Sequence, residues 1–492
     1  MKHSGYYFLL VAFFIFSFLC YQGVLSYIPY YHEQHSLFLF SEAYFLQQMN
    51  SEGLLSYLTS FLVQFFYIPA LGSALLASLL CIISLLIRFN IRKITGQTDK
   101  FLLSLLPSVY LFIHMMSAGN SLTPVVACFL GISVLSAINA FLPGPWKYVG
   151  QLSWLSIRGK KTNLLLSLFV ILVYAGGTFY VFAHSYNRSE RFMLLTEKYV
   201  KSRNWDEVLK QTNKYFSYGR SNQLMSYFHN LALYHTGGLP YHLFDYPQGL
   251  GVKSLYFPWN SDSRESEYGH FLYEDLGHTN EAQRWEFEAM VVWGETAPHL
   301  LNLAKYNIIN HRPLVAQRFI NLLKQSLFYK EEAEILEKQL STGQVPGLRS
   351  SLTDVYEVPA RFSNVMNIGP ELLYLCEKDS TNRMAFEYLM SDLLLGNNVV
   401  RFAENLKYMK YFSYPQMPPN YEEALYIYKL GVDEETFAKL NLTISEETEQ
   451  RFQRYYALYK NKNMQALKAE FGNTYWYYLN FYSPYGDKII KN

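Results

Sequence analysis

Few residues in the apolar first third of this 492-residue sequence could do chemistry, and four of them lie close together: His32, Glu33, His35 and Glu42. His32-Glu-Gln-His35 sets two imidazoles around a carboxylate, a donor set that can hold a metal. Its spacing differs from His-Glu-x-x-His, which puts both imidazoles on one helical face beside a catalytic Glu. His32 and His35 therefore read as solvated or interfacial polar side chains, and no metal is expected. Glu42 sits in an amphipathic segment with few other charges nearby. A carboxylate at a bilayer boundary needs water or a partner, so Glu33 and Glu42 are where a base or a metal ligand would be sought if the chain is an enzyme. His114 and Gln64 lie within apolar runs, and His114 is close enough to a polar turn to reach water. No phosphate-cradling glycine loop or nucleophile elbow is present, and no cofactor is expected.

The elements that must position these residues follow from hydropathy. Apolar runs of bilayer length, about twenty residues, occur at about 6–26, 61–87, 101–117, 122–142 and 164–184, giving five expected spans in a transmembrane domain of residues 1–186. The second contains Pro69 and is expected to tilt or kink there. The first ends without a small-residue cleavage site and reads as an uncleaved anchor. Residues 37–60 are too short and polar to span and read as two interfacial helices. The spans hold no buried Asp, Glu, Lys or Arg, which disfavours a transporter. Lys2, Arg88, Arg92, Lys93, Lys100, Lys147, Arg158, Lys160 and Lys161 all fall on one side of the five spans, and 27–60 and 117–123 carry no Lys or Arg. By the positive-inside rule the N-terminus is expected in the cytoplasm of a bacterial inner membrane, with residues 187–492 in the periplasm.

Charge separates the two parts. Of 40 acidic and 42 basic residues, four acidic and nine basic lie in 1–186, so the rest of the chain is slightly acidic. It lacks the basic face that phosphate binding needs, and no nucleic-acid partner is expected. Only Cys376 of the four cysteines falls there, so no disulfide can form within it. Its hydrophobic period is helical, with helices expected at 189–202, 205–217, 221–235, 264–276, 280–293, 297–310, 313–325, 329–340, 381–395, 398–411, 419–430, 445–460 and 463–471. Gly277, Ala282 and Trp285 recur 34 positions later as His311, Ala316 and Phe319, and Trp205 precedes Leu239 by the same interval. That is the tetratricopeptide (TPR) period. The fold class is thus all-α: an N-terminal transmembrane helix bundle followed by a TPR-like α-solenoid. Stretches 246–262 and 343–370, rich in Pro and Gly, are expected loops. The aromatic run Tyr475-Trp-Tyr-Tyr-Leu-Asn-Phe-Tyr482 reads as a core-forming or capping C-terminal helix.

Segments Glu33–Phe40, Phe61–Pro69, Gly277–Ala289, Asn382–Met390 and Tyr421–Leu425 resemble an uncharacterised family of bacterial multi-pass inner-membrane proteins with tetratricopeptide-like C-terminal regions. The resemblance implies that architecture and assigns no activity, cofactor or catalytic residue. Stacked helical pairs form an extended groove, so the expected function is a membrane-anchored scaffold whose residues 187–492 bind a polypeptide or partner subunit while the spans contact membrane lipid. The competing expectation is a transferase acting on a lipid-linked glycosyl substrate at the outer leaflet. Membrane glycosyltransferases are similar in placing an acidic residue in the first outer loop ahead of short helices along the membrane, the place Glu33 and Glu42 would fill.

Overall fold

The computed structural model describes residues 3–96, 99, 101–142, 160–258, 263–348 and 368–486, and every regular element among them is helical. The chain forms two compact units. One holds Met1–Leu194, Trp293–Leu301 and Arg318–Glu337; the other holds Leu195–Val292, Asn302–Gln317 and Lys338–Asn492.

The first unit contains α1 (His3–Gln22), α2 (Tyr27–Gln34), α3 (Glu42–Ser51), α4 (Leu54–Val63), α5 (Pro69–Thr95), α6 (Leu106–His114), α7 (Thr123–Phe141) and α8 (Lys160–Ser185). Among the described residues α5 and α7 are each long and apolar enough to cross a membrane. Two pairs reach that length only together: Tyr6–Gln22 with Tyr27–Gln34, bent by 65°, and Phe169–Ser185 with Arg188–Lys201, bent by 66°. Two to four candidate spans result, where five are expected from hydropathy. The segment expected to span at 101–117 contains only a 3-10 turn and the nine-residue α6, short of a full crossing in helix. The stretch expected at 61–87 is divided: 61–63 finish α4, Gln64–Tyr67 form a 3-10 turn, and α5 starts at Pro69. Proline at the first helical position loses no hydrogen bond and has its φ already set, so here it starts a helix instead of kinking one. The 3-10 turn folds back so closely that a Cβ on Gly72 would lie 2.8 Å from the Phe66 Cα. The interfacial stretch is realised as α3 and α4, with Ser41 capping α3 through the Tyr44 N–H; α2 is an additional helix.

Several polar groups among the apolar helices pair with one another. The Asn90 amide donates to Ser136 Oγ at 2.7 Å and accepts from Asn139 at 2.8 Å, joining α5 to α7. Asp99 accepts the N–H groups of Leu103 and Ser104 and so caps the turn that leads into α6. The 102–118 stretch has a fixed course. Near its start, Leu102 O accepts from Tyr174 of α8 and Ser104 meets the Tyr6 hydroxyl of α1. Phe112 packs on Tyr21 of α1, and at the far end Ala118 N donates to Glu190 at 2.8 Å. The offset from 102–174 to 118–190 is constant at 72, so the stretch runs parallel to the chain of α8 and beyond.

In the second unit, helices follow one another through a repeated turn. Arg203, Gly237, Gly277, His311, Asn397 and Lys462 all have left-handed φ, between 53° and 82°. Each donates its N–H to the carbonyl three residues back, and the following residue donates to the carbonyl five residues back, as in Asn204 to Tyr199 and Arg312 to Asn307. This is the Schellman closure, which satisfies carbonyls left open at a helix end. The next helix begins at once, and Asn204, Asn398 and Asn463 cap it by accepting the N–H three residues on. Turns 203 and 237, and again 277 and 311, lie 34 positions apart. At equivalent places beyond the second pair, Ala282 and Ala316 are fully buried and Trp285 and Phe319 pack inside.

The helices observed at Trp205–Ser217, Gln223–His235, Thr279–Trp293, Ala297–Ile309, Pro313–Leu323, Lys330–Thr342, Arg383–Leu395, Pro419–Gly431, Glu446–Lys460 and Met464–Phe471 lie within about two residues of the expected ones. Two expected helices are broken: 264–276 into Ser263–Ser266 and His270–Leu276, and 398–411 into Val399–Asn405 and a 3-10 continuation. Gly369–Lys378 is an additional helix, and most of the expected 343–370 loop lies outside the described residues. The aromatic C-terminal run is core: Tyr475, Trp476 and Tyr478 are buried, Glu423 holds Tyr475 N at 2.8 Å, and the Tyr478 hydroxyl donates to Leu395 O.

The turn geometry gives a paired prediction. Gly277→Ala places a Cβ in a left-handed backbone and should lower stability by about 1 kcal/mol, whereas Lys462→Gly should raise it by a few tenths to about 1 kcal/mol. Thermal unfolding followed by helical circular dichroism reads both signs.

Candidate functional site

All four sequence-selected residues lie in the first unit, but not in one cluster. The bend after α1 delivers α2, whose His32-Glu33-Gln34 ends the helix. Glu33 is 5 % exposed. Its carboxylate accepts from the Gln34 amide at 2.7 Å and from the hydroxyl of Tyr329, a residue 296 positions later that belongs to the same compact unit. Burial first, and then the charge of Glu33, push the Tyr329 phenol far above the ordinary tyrosine range, so it keeps its proton and donates.

Neighbouring contacts make this a latch. The Tyr67 hydroxyl donates to Glu332 at 2.8 Å, and its ring stacks on Phe328 at 5.2 Å and meets Tyr329 edge-on at 5.1 Å. Phe40 N donates to Gln325 O at 2.8 Å. His35 packs its ring 4.6 Å from Trp293 while its Nδ1 bonds Tyr31 O. Glu42, by contrast, is exposed in the first turn of α3, where it complements the helix N-terminus. His32 joins neither acid in a ligand set: among the described residues no three His, Cys, Asp or Glu side chains converge as a metal site. Glu33 so held, with donors on both oxygens, fixes chain geometry; chemistry at its carboxylate requires displacing Tyr329.

The second unit contains a charged cluster that sequence reasoning missed. Buried His270 sits between two carboxylates, with Nδ1 3.2 Å from Glu274 and Nε2 3.2 Å from Glu286. The Tyr306 hydroxyl bonds both His270 and Glu274, Asn302 donates to Glu286 at 2.7 Å, and Arg203 pairs with Glu274 and, at 3.5 Å, with Asp275. Asp275 in turn meets His235, whose ring lies flat on Trp205 at 4.1 Å. Burial alone would raise the Glu274 carboxyl; the hydrogen bond and charge of His270, with Arg203 and Tyr306, outweigh it and hold the group at about 2. The only local sequence signal is the i,i+4 pair His270–Glu274; the other members come from separate helices.

With both clusters placed, the chain matches a single family over residues 2–185 and, in an overlapping second stretch, over 151–482. It belongs to DUF6057, a family of unknown function. No curated protein and no solved structure matches it. Glu33 and Tyr67 lie in the first DUF6057 stretch, and Tyr329 and the whole His270 cluster lie in the second. Helix α8 is common to both.

Two outcomes follow from these contacts. Tyr329→Phe removes the donor on one oxygen of buried Glu33 and should destabilise the first unit by about 2–3 kcal/mol. A double-mutant cycle with Glu33→Gln should recover at least about 1 kcal/mol of coupling, read by thermal unfolding. Because Glu274 is depressed in the folded state, its stabilisation is complete above its unfolded value near 4.3 and lost as pH falls toward 2. At neutral pH it is worth about 3 kcal/mol, so Glu274→Gln should flatten the acid limb of a stability–pH curve.

Proposed function

We propose that this chain is a membrane-anchored interaction scaffold, in which five crossings hold a TPR-like helical region outside the cytoplasm and that region binds a polypeptide or partner subunit. Support for the fifth crossing comes from the course of 102–118. It meets Tyr174 of α8 near its start, Glu190 of the following helix at its far end and Tyr6 and Tyr21 of α1 along its length, a course that supports a crossing although its α-helix is short. An odd number of crossings, with Arg88, Arg92 and Lys93 near the end of α5 and Lys160 and Lys161 at the start of α8, supports the reading that residues 187–492 lie in the periplasm of a bacterial host. The two 34-residue intervals between Schellman turns support the TPR-like reading.

The observation that carries the reading is apolar surface outside any candidate span. Val291 is 83 % exposed and Leu314 87 %, with Val292 and Val315 also exposed beside them in sequence. Exposed aliphatic side chains at adjacent positions on folded helices suit contact with a partner. The charged groups of the same region are absorbed by internal networks such as that of His270, which supplies structure and no exposed nucleophile.

A photo-reactive benzoylphenylalanine at Leu314 or Val291, irradiated in cells, should give a discrete adduct with one protein. Adducts with lipid alone, or none at either position, would contradict the scaffold reading and mark the patch as membrane-facing.

A further inference from the structure

Three helices of the second unit, Gly369–Lys378, Arg383–Leu395 and Val399–Asn405, together with 252–256 and Tyr485, enclose a cavity of about 510 Å³. That is the size of an ordinary small-ligand site. Its walls are apolar and aromatic: Tyr256, Tyr374, Leu389 and Leu393, with Pro370 and Val252. One of its charged groups is buried. Asp392 lines the cavity, is 8 % exposed, and its Oδ1 is sealed from solvent with no hydrogen-bond partner. Leu389, Leu393 and Leu395 lie near it on its own helix, the Ser391 hydroxyl donates to Glu387 O, and among the described residues no cation pairs with it.

The other charged or titratable groups on the walls are Lys253, Glu377, Arg401, Tyr374, Tyr256 and Tyr485. Lys253 and Arg401 are exposed and form no ion pair with Asp392 among the described residues; Glu377 is exposed as well. The two phenols nearest in effect, Tyr256 and Tyr485, are raised by burial and further by the Asp392 charge. An uncompensated carboxylate in such surroundings is expensive for the folded chain. Burial accordingly raises the Asp392 carboxyl to about 7, so it is largely ionised only above neutrality.

A ligand that relieves this arrangement must bring a positive charge on an apolar stem. Anions are repelled by Asp392. A neutral hydroxyl satisfies one lone pair and leaves the charge unpaired. A metal would find no cluster of three His, Cys, Asp or Glu ligands there among the described residues. We propose that the cavity binds a primary ammonium group, with the cation against Asp392 and its carbon chain between Tyr256, Tyr374 and Leu393, where aromatic faces also attract cations. The ammonium can be that of a free alkylamine or of a lysine side chain presented by a polypeptide. The site stands whether or not the scaffold reading holds.

The test is calorimetric titration of the purified full chain in mild detergent with n-pentylamine and with 1-pentanol, at pH 8.5 and pH 5.5. Pentylamine should bind at least about tenfold more tightly than pentanol at pH 8.5 and lose about 30-fold in affinity at pH 5.5, where Asp392 is protonated and the amine still charged. Asp392→Asn should abolish both differences. If that variant does not fold, the two wild-type comparisons carry the test. Equal binding of amine and alcohol, an affinity that does not fall at pH 5.5, or full amine binding by Asp392→Asn would overturn the proposal. A short peptide with one internal lysine and blocked termini then separates the sources: binding equal to pentylamine assigns the cavity to a partner's lysine, and binding of pentylamine alone assigns it to a free amine.

Discussion

The buried carboxylate of Glu33 constrains its surroundings more than any other single group in the first unit. A carboxylate taken out of water must find donors, and Tyr329 supplies one from a turn between helices 296 residues away. Meeting that demand fixes the end of α2, brings 325–332 against the Gln64–Tyr67 turn, and closes the unit around Phe328 and Tyr67. Apolar packing alone would let these aromatic rings slide; the hydrogen bond selects one register.

The same physics, polar groups satisfied internally where water is absent, recurs through the apolar helices. Asn90 with Ser136 and Asn139 pins α5 to α7, and Tyr6 links α1 to Ser84 and Ser104. In the second unit the repeated Schellman closure does for helix ends what these side chains do for helix faces. His270, held between Glu274 of its own helix and Glu286 of the next, ties those two helices together. Asp392 differs from these paired acids: it lines a cavity with one carboxylate oxygen unpartnered, and that placement suggests a ligand.

Legibility in the sequence followed locality. Helix bounds in 205–471 were readable because period and caps are encoded within a turn or two, and the 34-residue recurrence of Gly277 as His311 marks a shared backbone conformation. Arg203 and Lys462 occupy the same left-handed position without a glycine to announce it. Pro69 was ambiguous, since proline both kinks helices and starts them, and the folded-back Phe66 decides between the two. The helix at Tyr27–Gln34 was hidden by its polar end. Glu33 was legible as an unusual acid, but nothing near it in sequence points to Tyr329. The His270 cluster and the Asp392 cavity likewise depend on residues brought together from separate helices, which no spacing rule connects.

In the proposed function the helical region is held outside the cytoplasm by an odd number of crossings. Single-cysteine labelling tests it most directly: in a background with Cys20, Cys81, Cys128 and Cys376 replaced, cysteines are introduced at His242, exposed in the second unit, and at Gly96, where α5 ends. A membrane-impermeant maleimide given to intact cells with a permeabilised outer envelope should label position 242 and leave 96 protected until the inner membrane is broken. Labelling of 96 with protection of 242, or protection of both, would contradict it.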